Sequence, residues 1–284
     1  MSTILYENII FGPIISRRLG HSLGVNLLPK QGKWCSFDCI YCECGWNKDH
    51  TSDTVIPNAD EVERALRARL IELKRSGTPV DTITFSGNGE PTLNPQFPEI
   101  IDLTLKLRDE YYPKAVVSVL SNASRIGIKE IREALMKVDN PILKIDSVSE
   151  EMVNEIKRPN SSYSLKTTIE NLKLFNGNFI LQTMFLKGII GVGEGYANNM
   201  GNTSPITIDS TDAVSCENWR KLVEVLKPRE VMMYTLDRET PANNLKQVTI
   251  NEMKKIAEPL IKKGFKIQIK GPSGTKQYKK DSTL

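Results

Sequence analysis

The sequence predicts an α/β protein built around a parallel β-sheet. Segments with the composition of buried strands alternate with segments of helical apolar spacing along almost the whole chain. Apolar residues dominate most of the strand segments, and the alternation of strands with helices indicates a parallel sheet with crossover helices. The 284 residues are enough for one large α/β domain. A barrel-like sheet and an open doubly wound sheet both satisfy this pattern.

Local signals place the elements in order. Asn58 is a suitable N-cap for a helix that Gly77 ends, and Thr249 with Glu252 forms a capping box that opens the last helix. The predicted strands cover residues 25–28, 80–85, 115–120, 142–146, 179–185, 231–236 and 265–270. The predicted helices cover residues 59–75, 97–111, 128–138, 165–175, 216–226 and 250–263.

We expect one core domain over residues 1–270, with a lead-in at residues 1–22. A long glycine-rich connection at residues 187–215 is a candidate substrate lid, because structureless loops of this size usually have a function. Residues 271–284 are expected to form a basic, flexible tail. Residues 246–284 contain ten lysines and three acidic residues, which gives this segment a net charge of +7. Because the whole chain has a net charge of +4, the first 245 residues carry about −3. Such a segment can contact phosphate or be an ordinary solvated terminus.

Composition excludes several classes of protein. Hydrophobic residues make up 39% and charged residues 25%, the profile of a soluble globular protein. The sequence has no run of 18 apolar residues, so we expect no membrane span. The first residues lack the pattern of a secretion signal, which predicts a cytoplasmic location. A net charge of +4 is too small to indicate nucleic-acid binding by itself.

Three of the five cysteines lie within eight residues, spaced C-x3-C-x2-C. They are Cys35, Cys39 and Cys42, and they follow the first predicted strand. Thiolates at this density usually hold zinc or an iron–sulfur cluster. Zinc sites usually divide their ligands into two distant pairs, whereas here even Cys44 lies on the same loop. A metal-binding or redox-sensing module on an α/β scaffold remains the alternative to an enzyme.

This cysteine spacing, with Tyr41 just before the last cysteine, resembles the radical S-adenosylmethionine (radical SAM) superfamily. The resemblance implies a partial (βα)6-type TIM-like barrel with parallel strands. It also implies that Cys35, Cys39 and Cys42 hold a [4Fe–4S] cluster whose open iron binds S-adenosylmethionine (SAM). The implied activity is cleavage of SAM to methionine and a 5′-deoxyadenosyl radical, which abstracts hydrogen from a substrate.

The segment after the second predicted strand carries the next match. Gly87, Asn88, Gly89 and Glu90 resemble the Gly-Gly-Glu segment that binds the SAM amino group in the superfamily, although Asn88 interrupts the paired glycines. A simple turn is the alternative interpretation, since glycine and asparagine tolerate positive φ.

Polar residues follow the next two strands as well. Ser121 and Asn122 end the third strand, where members of the superfamily often place groups near the cofactor. Lys144 and Asp146 end the fourth and share one face because side chains alternate along a strand. With Tyr41, these residues complete the expected cofactor site, in which Lys144 and Asp146 bind the SAM carboxylate or ribose, or the substrate.

The lead-in from Phe11 to Gly24 resembles a group of iron–sulfur oxidoreductases loosely related to the wyosine-synthesis enzymes. Wyosine-type enzymes carry a second cluster on cysteines ahead of the radical motif, but this chain has no cysteine before Cys35. The substrate therefore stays open between a tRNA nucleoside and a small molecule. The resemblance also implies a reducing partner such as flavodoxin or ferredoxin.

Overall fold

The computed structural model describes residues 4–16, 19–49, 54–190, 205–271 and 274–279. The chain divides into two compact units. The N-terminal unit comprises Thr3–Ser36 and Trp46–Ile142, and the C-terminal unit comprises mainly Phe37–Gly45 and Leu143–Leu284. The cysteine motif is divided between them, since Cys35 belongs to the N-terminal unit and the later cysteines to the C-terminal one. The predicted single domain over residues 1–270 stays a prediction.

Parallel strands alternate with helices in the N-terminal unit. Its strands are β1 (Ile10–Ser16), β2 (Gly20–Val25), β3 (Thr82–Phe85) and β4 (Val116–Ser121), adjacent in that order. Its helices are α1 (Ala59–Arg75), α2 (Phe97–Tyr111) and α3 (Lys129–Lys137). Strand β1 is antiparallel to β2, whereas β2, β3 and β4 are parallel, with Leu23 opposite Ile83 and Ile83 opposite Val117. Strand β3 is buried along its whole length, as expected for a central parallel strand.

Helix α1 shows how local sequence sets these elements. The Asn58 side chain accepts a hydrogen bond from the Glu61 N–H at 2.9 Å, and the Glu61 carboxylate accepts one from the Asn58 N–H at 2.9 Å. This capping box satisfies two N–H groups that a helix start leaves without partners. One face of α1 is buried through Val62, Leu66, Leu70 and Leu73. The predicted bounds, 59–75, are confirmed.

The C-terminal unit contains a second run of alternating elements and a small separate sheet. Strand β5 (Asn140–Lys144) contains the division between the units, and β6 (Ile180–Met184), β9 (Glu230–Tyr234) and β11 (Ile267–Gly271) are parallel neighbours. The helices are α4 (Glu150–Ile156), α5 (Leu165–Lys173), α6 (Ala213–Leu226) and α7 (Ile250–Lys262). The small antiparallel sheet has the order β10 (Leu245–Gln247), β7 (Leu186–Ile190) and β8 (Ile206–Asp209).

Several predicted boundaries are wrong. The first parallel strand is β2 at Gly20–Val25 rather than residues 25–28. Helix α6 begins at Ala213, because Asp212 rather than Ser215 accepts the capping hydrogen bonds, at 3.0 Å each from Val214 and Ser215. Helix α4, capped by Ser149, was not predicted.

The expected long loop and flexible tail also contain regular structure. Residues 187–190 and 206–209 are strands that pair with each other, and only residues 191–204 of the expected lid lie outside the described residues. Residues 274–278 form β12 (Gly274–Tyr278), which pairs antiparallel with β11, while residues 280–284 lie outside the described residues. Of the helices that the structure describes, none combines the length and apolar character needed to cross a bilayer.

Candidate functional site

In the N-terminal unit, the predicted residues after β4 contact the first cysteine. Asn122 Nδ2 donates to Cys35 Sγ at 3.5 Å and to Ser36 Oγ at 2.9 Å. The Ser36 hydroxyl also bonds the Ser124 hydroxyl at 2.8 Å. The Cys35 thiol is half-buried. Glu90 in turn accepts a hydrogen bond from Asn122. Residues around Cys35, Glu90 and Asn122, which are distant in the sequence, are thereby joined.

The Glu90 carboxylate is 2% exposed and is held by neutral donors. Its Oε1 accepts hydrogen bonds from the Thr92 N–H at 3.2 Å, the Thr92 hydroxyl at 2.6 Å and the Ser121 hydroxyl at 2.8 Å. Its Oε2 accepts one from the Asn122 N–H at 2.7 Å. Burial raises the pKa of Glu90 above its usual 4.5, although these hydrogen bonds oppose the rise. Because Oε2 accepts one bond from the described residues, it retains capacity for a further donor.

The two glycines before Glu90 are required by close backbone approach. A Cβ on Gly89, whose φ is +146°, would lie 1.9 Å from the Trp34 carbonyl oxygen. A Cβ on Gly87 would lie 2.6 Å from Oδ1 of Asn26. The Trp34 N–H donates to the Asn88 carbonyl at 2.7 Å, and the Glu90 N–H donates to the Trp34 carbonyl at 3.1 Å. The segment at 87–90 therefore runs directly against the residue that precedes Cys35.

In the C-terminal unit, the second part of the cysteine loop is held by backbone hydrogen bonds. The Asp38 N–H donates to the Lys157 carbonyl at 3.0 Å, and the Ile40 N–H donates to the Ile156 carbonyl at 3.0 Å. The Ile40 carbonyl accepts from the Ala242 N–H at 3.0 Å. Phe37 is buried edge-on against Tyr163, with 5.0 Å between ring centroids. The end of α4 thus anchors the loop that carries Cys39, Cys42 and Cys44.

Tyr41, Lys144 and Asp146 form one cluster in the same unit, in which Tyr41 and Asp146 are buried and the Lys144 side chain is 16% exposed. Lys144 Nζ lies 3.8 Å from Asp146 Oδ2 and 4.2 Å from the Tyr41 ring centroid. It also lies 5.2 Å from the ring centroid of Tyr234. The Tyr41 hydroxyl donates to Asp146 Oδ2, and the Met184 N–H donates to Oδ1 at 2.9 Å. Each Asp146 oxygen therefore already has a donor.

The cluster stabilises the ammonium form of Lys144. Burial alone lowers the pKa of Lys144, but the Asp146 carboxylate, followed by Tyr234 and Cys39, outweighs burial and raises the pKa above its usual 10.5. Burial also raises the pKa of the Tyr41 hydroxyl well above 10.0, and Asp146 and Cys39 raise it further. At neutral pH, Lys144 is therefore a cation and Tyr41 a neutral donor.

Sequence reasoning missed several residues that shape these surroundings. Ser36 and Ser124 hold Asn122 beside Cys35, and Lys157 donates to the Lys144 carbonyl at 3.2 Å with its Nζ 4.5 Å from the Phe37 ring centroid. Lys157 is 1% exposed, and a buried lysine has no local sequence signal. Ser36 could have been singled out, because a hydroxyl beside a ligating cysteine can donate to polar neighbours.

The thiols fit an iron–sulfur cluster by the chemistry of their donors. Cys35, Cys39, Cys42 and Cys44 are all half-buried, and thiolates are the usual ligands of such clusters. Among the described residues, no three His, Cys, Asp or Glu side chains are gathered in a metal-holding arrangement. The assignment of Cys35, Cys39 and Cys42 as ligands stays a prediction.

The chain belongs to the radical SAM superfamily of enzymes. The family model described as the radical SAM superfamily matches residues 31–200, more than half of the chain. This range contains the cysteine motif and the segments around Glu90, Asn122 and Lys144. The predicted membership, and with it the prediction of an enzyme, is confirmed.

Curated relatives share part of their length with this chain. The protein named GTPase Obg of Brachyspira hyodysenteriae is 29% identical over 271 residues, which are 93% of this chain and 35% of that protein. The UPF0026 protein MJ1312 of Methanocaldococcus jannaschii is 32% identical over 186 residues, which are 64% of this chain and 55% of that protein. The chain thus spans between about a third and just over half of these relatives.

A solved structure shows the same fold. The crystal structure of Streptococcus suis SuiB bound to S-adenosylmethionine matches with a TM-score of 0.56 at 14% identity. The match covers 85% of this chain and 48% of SuiB. At this identity the likeness shows the fold alone, and it confirms the predicted partial barrel of parallel strands.

Proposed function

We propose that the chain is a radical SAM enzyme in which Cys35, Cys39 and Cys42 hold a [4Fe–4S] cluster. The observation that carries the proposal is the Asn122 side chain, which contacts the Cys35 sulfur while its backbone N–H bonds Glu90. This contact links the first proposed ligand to the segment expected to bind SAM. When bound, such a cluster supplies one electron that splits SAM into methionine and a 5′-deoxyadenosyl radical.

In the N-terminal unit, we assign the SAM amino group to Glu90. Its Oε2 has the remaining acceptor capacity, and a carboxylate is a suitable partner for an ammonium group. Ser121 and Thr92 hold the other oxygen and fix the orientation of the carboxylate. Gly87 and Gly89 let this segment pack closely against Asn26 and Trp34, which places Glu90 next to the residue that precedes Cys35. Asn122 donates to the Cys35 sulfur and orients it.

In the C-terminal unit, we assign a carboxylate of SAM or of the substrate to Lys144. Its ammonium group lies 4.2 Å from the Tyr41 ring centroid and 5.2 Å from that of Tyr234, and the side chain is 16% exposed, so an anionic ligand would be attracted to it. Asp146 and Tyr41 hold that ammonium group in place rather than binding the ligand themselves.

We propose a small-molecule substrate, with a tRNA nucleoside as the alternative. The basic segment that suggested RNA is locally neutralised, because Lys263, Lys266 and Lys270 pair with acidic residues at 3.1 Å or less. Paired lysines release fewer counterions on binding phosphate, which weakens the argument for RNA. The reductant we propose is a flavodoxin or a ferredoxin.

Anaerobic reconstitution tests the proposed chemistry. Wild-type protein incubated with iron and sulfide should bind about four iron atoms per chain and, with dithionite and SAM, release 5′-deoxyadenosine and methionine. The Cys39→Ser variant should lose both properties, because a hydroxyl is a poor iron ligand. Iron analysis and chromatography of the nucleoside products measure the two effects separately.

The Cys44→Ser variant is the matched control on the same loop. It should retain the iron and the product, since Cys44 lies outside the C-x3-C-x2-C spacing. If the wild-type protein binds iron but releases no 5′-deoxyadenosine, the result would instead favour a metal-binding or redox-sensing module. Full activity in Cys39→Ser would contradict the ligand assignment.

Salt dependence separates the two substrate classes. For a tRNA substrate, affinity should fall steeply, by about 1000-fold or more, between 50 and 200 mM salt if six or more phosphates are contacted. Filter binding of total tRNA measures this dependence. For the small-molecule substrate that we propose, tRNA binding should be weak at both concentrations.

A further inference from the structure

The Asn88 side chain points into the protein. It is fully buried, at 0% exposure, in the N-terminal unit. Its Nδ2 donates to the carbonyls of Pro29 at 2.7 Å, Tyr6 at 3.0 Å and Lys30 at 3.3 Å. Its Oδ1 accepts from the Tyr6 N–H at 2.8 Å. The side chain that interrupts the paired glycines is thus used entirely within the protein.

A second buried asparagine completes this arrangement. Asn26 Oδ1 accepts from the Asn88 N–H at 3.2 Å and from the Leu28 N–H at 3.2 Å. Asn26 Nδ2 donates to the carbonyls of Leu28 at 3.1 Å and Tyr6 at 3.3 Å. We call the group formed by Tyr6, Asn26 and Asn88 the asparagine clasp. It satisfies backbone groups that burial would otherwise leave without partners.

The clasp fixes the backbone on which the proposed site depends. The Asn88 carbonyl accepts from the Trp34 N–H, and the Trp34 carbonyl accepts from the Glu90 N–H. Trp34 immediately precedes Cys35, and Glu90 is the proposed ligand of the SAM amino group. A shift of the Asn88 backbone would therefore move both Cys35 and Glu90. On its other side, the clasp is continued by the Tyr6 ring, which stacks on Phe11 at 3.6 Å between centroids and 11° between planes.

We infer that Asn88 is a positioning residue for the cofactor site. Through the clasp, the N-terminal segment at Tyr6–Phe11 holds the backbone of residues 88–90 and of Trp34 in the register that SAM binding requires. This inference rests on the proposed function, since it names what holds the proposed site. It also replaces the direct cofactor contact that the sequence predicts for Asn88.

The test compares two buried asparagines that receive the same substitution. Asn88→Asp keeps the acceptor for the Tyr6 N–H but loses the three donated hydrogen bonds. Asn94→Asp is the matched control: Asn94 is 3% exposed and donates to the Leu27 and Pro57 carbonyls at 3.1 Å and 2.9 Å. In the described part of the chain, its side-chain hydrogen bonds go to Leu27, Pro57 and Gln96, and none goes to Trp34 or to residues 87–90. Both variants bury a carboxylate, so a general loss of stability affects both.

Two measurements are made on each variant, one of which does not need activity. Hydrogen exchange of peptides containing Trp34 and Glu90, before and after reconstitution, should be about tenfold faster in Asn88→Asp and unchanged in Asn94→Asp. The KM for SAM should rise about tenfold in Asn88→Asp, equivalent to about 1.4 kcal/mol, with a smaller change in kcat. In Asn94→Asp the KM should stay at the wild-type value.

Equal exchange and equal KM in the two variants would overturn the inference. If Asn88→Asp fails to fold, Phe11→Leu replaces it, because loss of the ring stack should loosen the same peptides and raise the KM by a smaller factor, about threefold. If wild-type protein makes no 5′-deoxyadenosine, the proposed function fails. The exchange comparison alone then decides whether the clasp holds residues 88–90.

Discussion

Glu90 in the N-terminal unit and Asp146 in the C-terminal unit are both buried carboxylates that follow parallel strands. Glu90 is surrounded by four neutral donors from Thr92, Ser121 and Asn122. Asp146 instead faces the ammonium group of Lys144 and accepts from Tyr41 and Met184. The first arrangement distributes stabilisation over many weak contacts, whereas the second concentrates it in one charge pair. Single substitutions should therefore have very different effects in the two units.

The largest effect is expected from Asp146→Asn. This change leaves the buried Lys144 cation without its carboxylate, and breaking a buried ion pair typically costs about 3–5 kcal/mol. The free energy of unfolding in urea measures the loss. The double variant Asp146→Asn with Lys144→Met is the control, and it should recover most of the stability because no buried charge remains. A loss below about 1 kcal/mol in the single variant would show that the pair is not buried as described.

An intermediate effect is expected from Glu90→Gln. The side-chain amide of glutamine would point its own N–H groups at the donors from which Glu90 now accepts hydrogen bonds. Leaving such buried donors without an acceptor costs about 1–3 kcal/mol of folding stability. Unfolding in urea at neutral pH measures this cost. A variant as stable as wild type would mean that the four donors find other acceptors.

The same variant also tests the raised pKa of Glu90. A carboxyl group whose pKa is higher in the folded state binds its proton more tightly there than in the unfolded chain. Its contribution to stability is complete below its usual 4.5 and is lost as the pH rises through the folded value. Between pH 4.5 and about 7, wild-type stability should therefore decrease more than that of Glu90→Gln. Urea unfolding at several pH values compares the two slopes, and parallel slopes would contradict the assignment.

The smallest effect is expected from Ser121→Ala. This change removes one of four donors to Glu90, so the cost should be about 0.5–1.5 kcal/mol. Added to Glu90→Gln, it should cost less than it does alone, since the hydrogen bond is already altered. Urea unfolding of both single variants and the double variant gives the coupling. Full additivity would argue that Ser121 stabilises the unit through Ala123, whose N–H it accepts at 3.1 Å.

Much of the charged cluster was predictable from the sequence, because strand alternation is a local rule. Lys144 and Asp146 were expected on one face, and their charged atoms lie 3.8 Å apart. For Asn122 the position at a strand end needs the resemblance to the superfamily as well, which predicts a polar group near the cofactor there, and Asn122 contacts Cys35.

The direction of the Asn88 side chain was not predictable in this way. Its partners, Tyr6, Pro29 and Lys30, lie 82, 59 and 58 residues away in the chain, and no local pattern encodes such contacts. The strands at 187–190 and 274–278 contain glycine and lysine, which have low strand propensity, but pairing with a neighbouring strand outweighs it. Residues 206–209, Ile-Thr-Ile-Asp, do have the composition of a strand, and sequence reasoning places them inside a loop all the same.

The order of the units along the chain has a consequence for recombination between homologous genes. Phe37–Gly45 is encoded early yet belongs to the C-terminal unit, where residues 156 and 157 hold it through main-chain bonds. A crossover between Gly45 and Ile156 would take the loop and its anchor from different parents. Chimaeras should therefore keep their function most often when both segments have one parental origin, and a library scored for 5′-deoxyadenosine production would reveal that linkage.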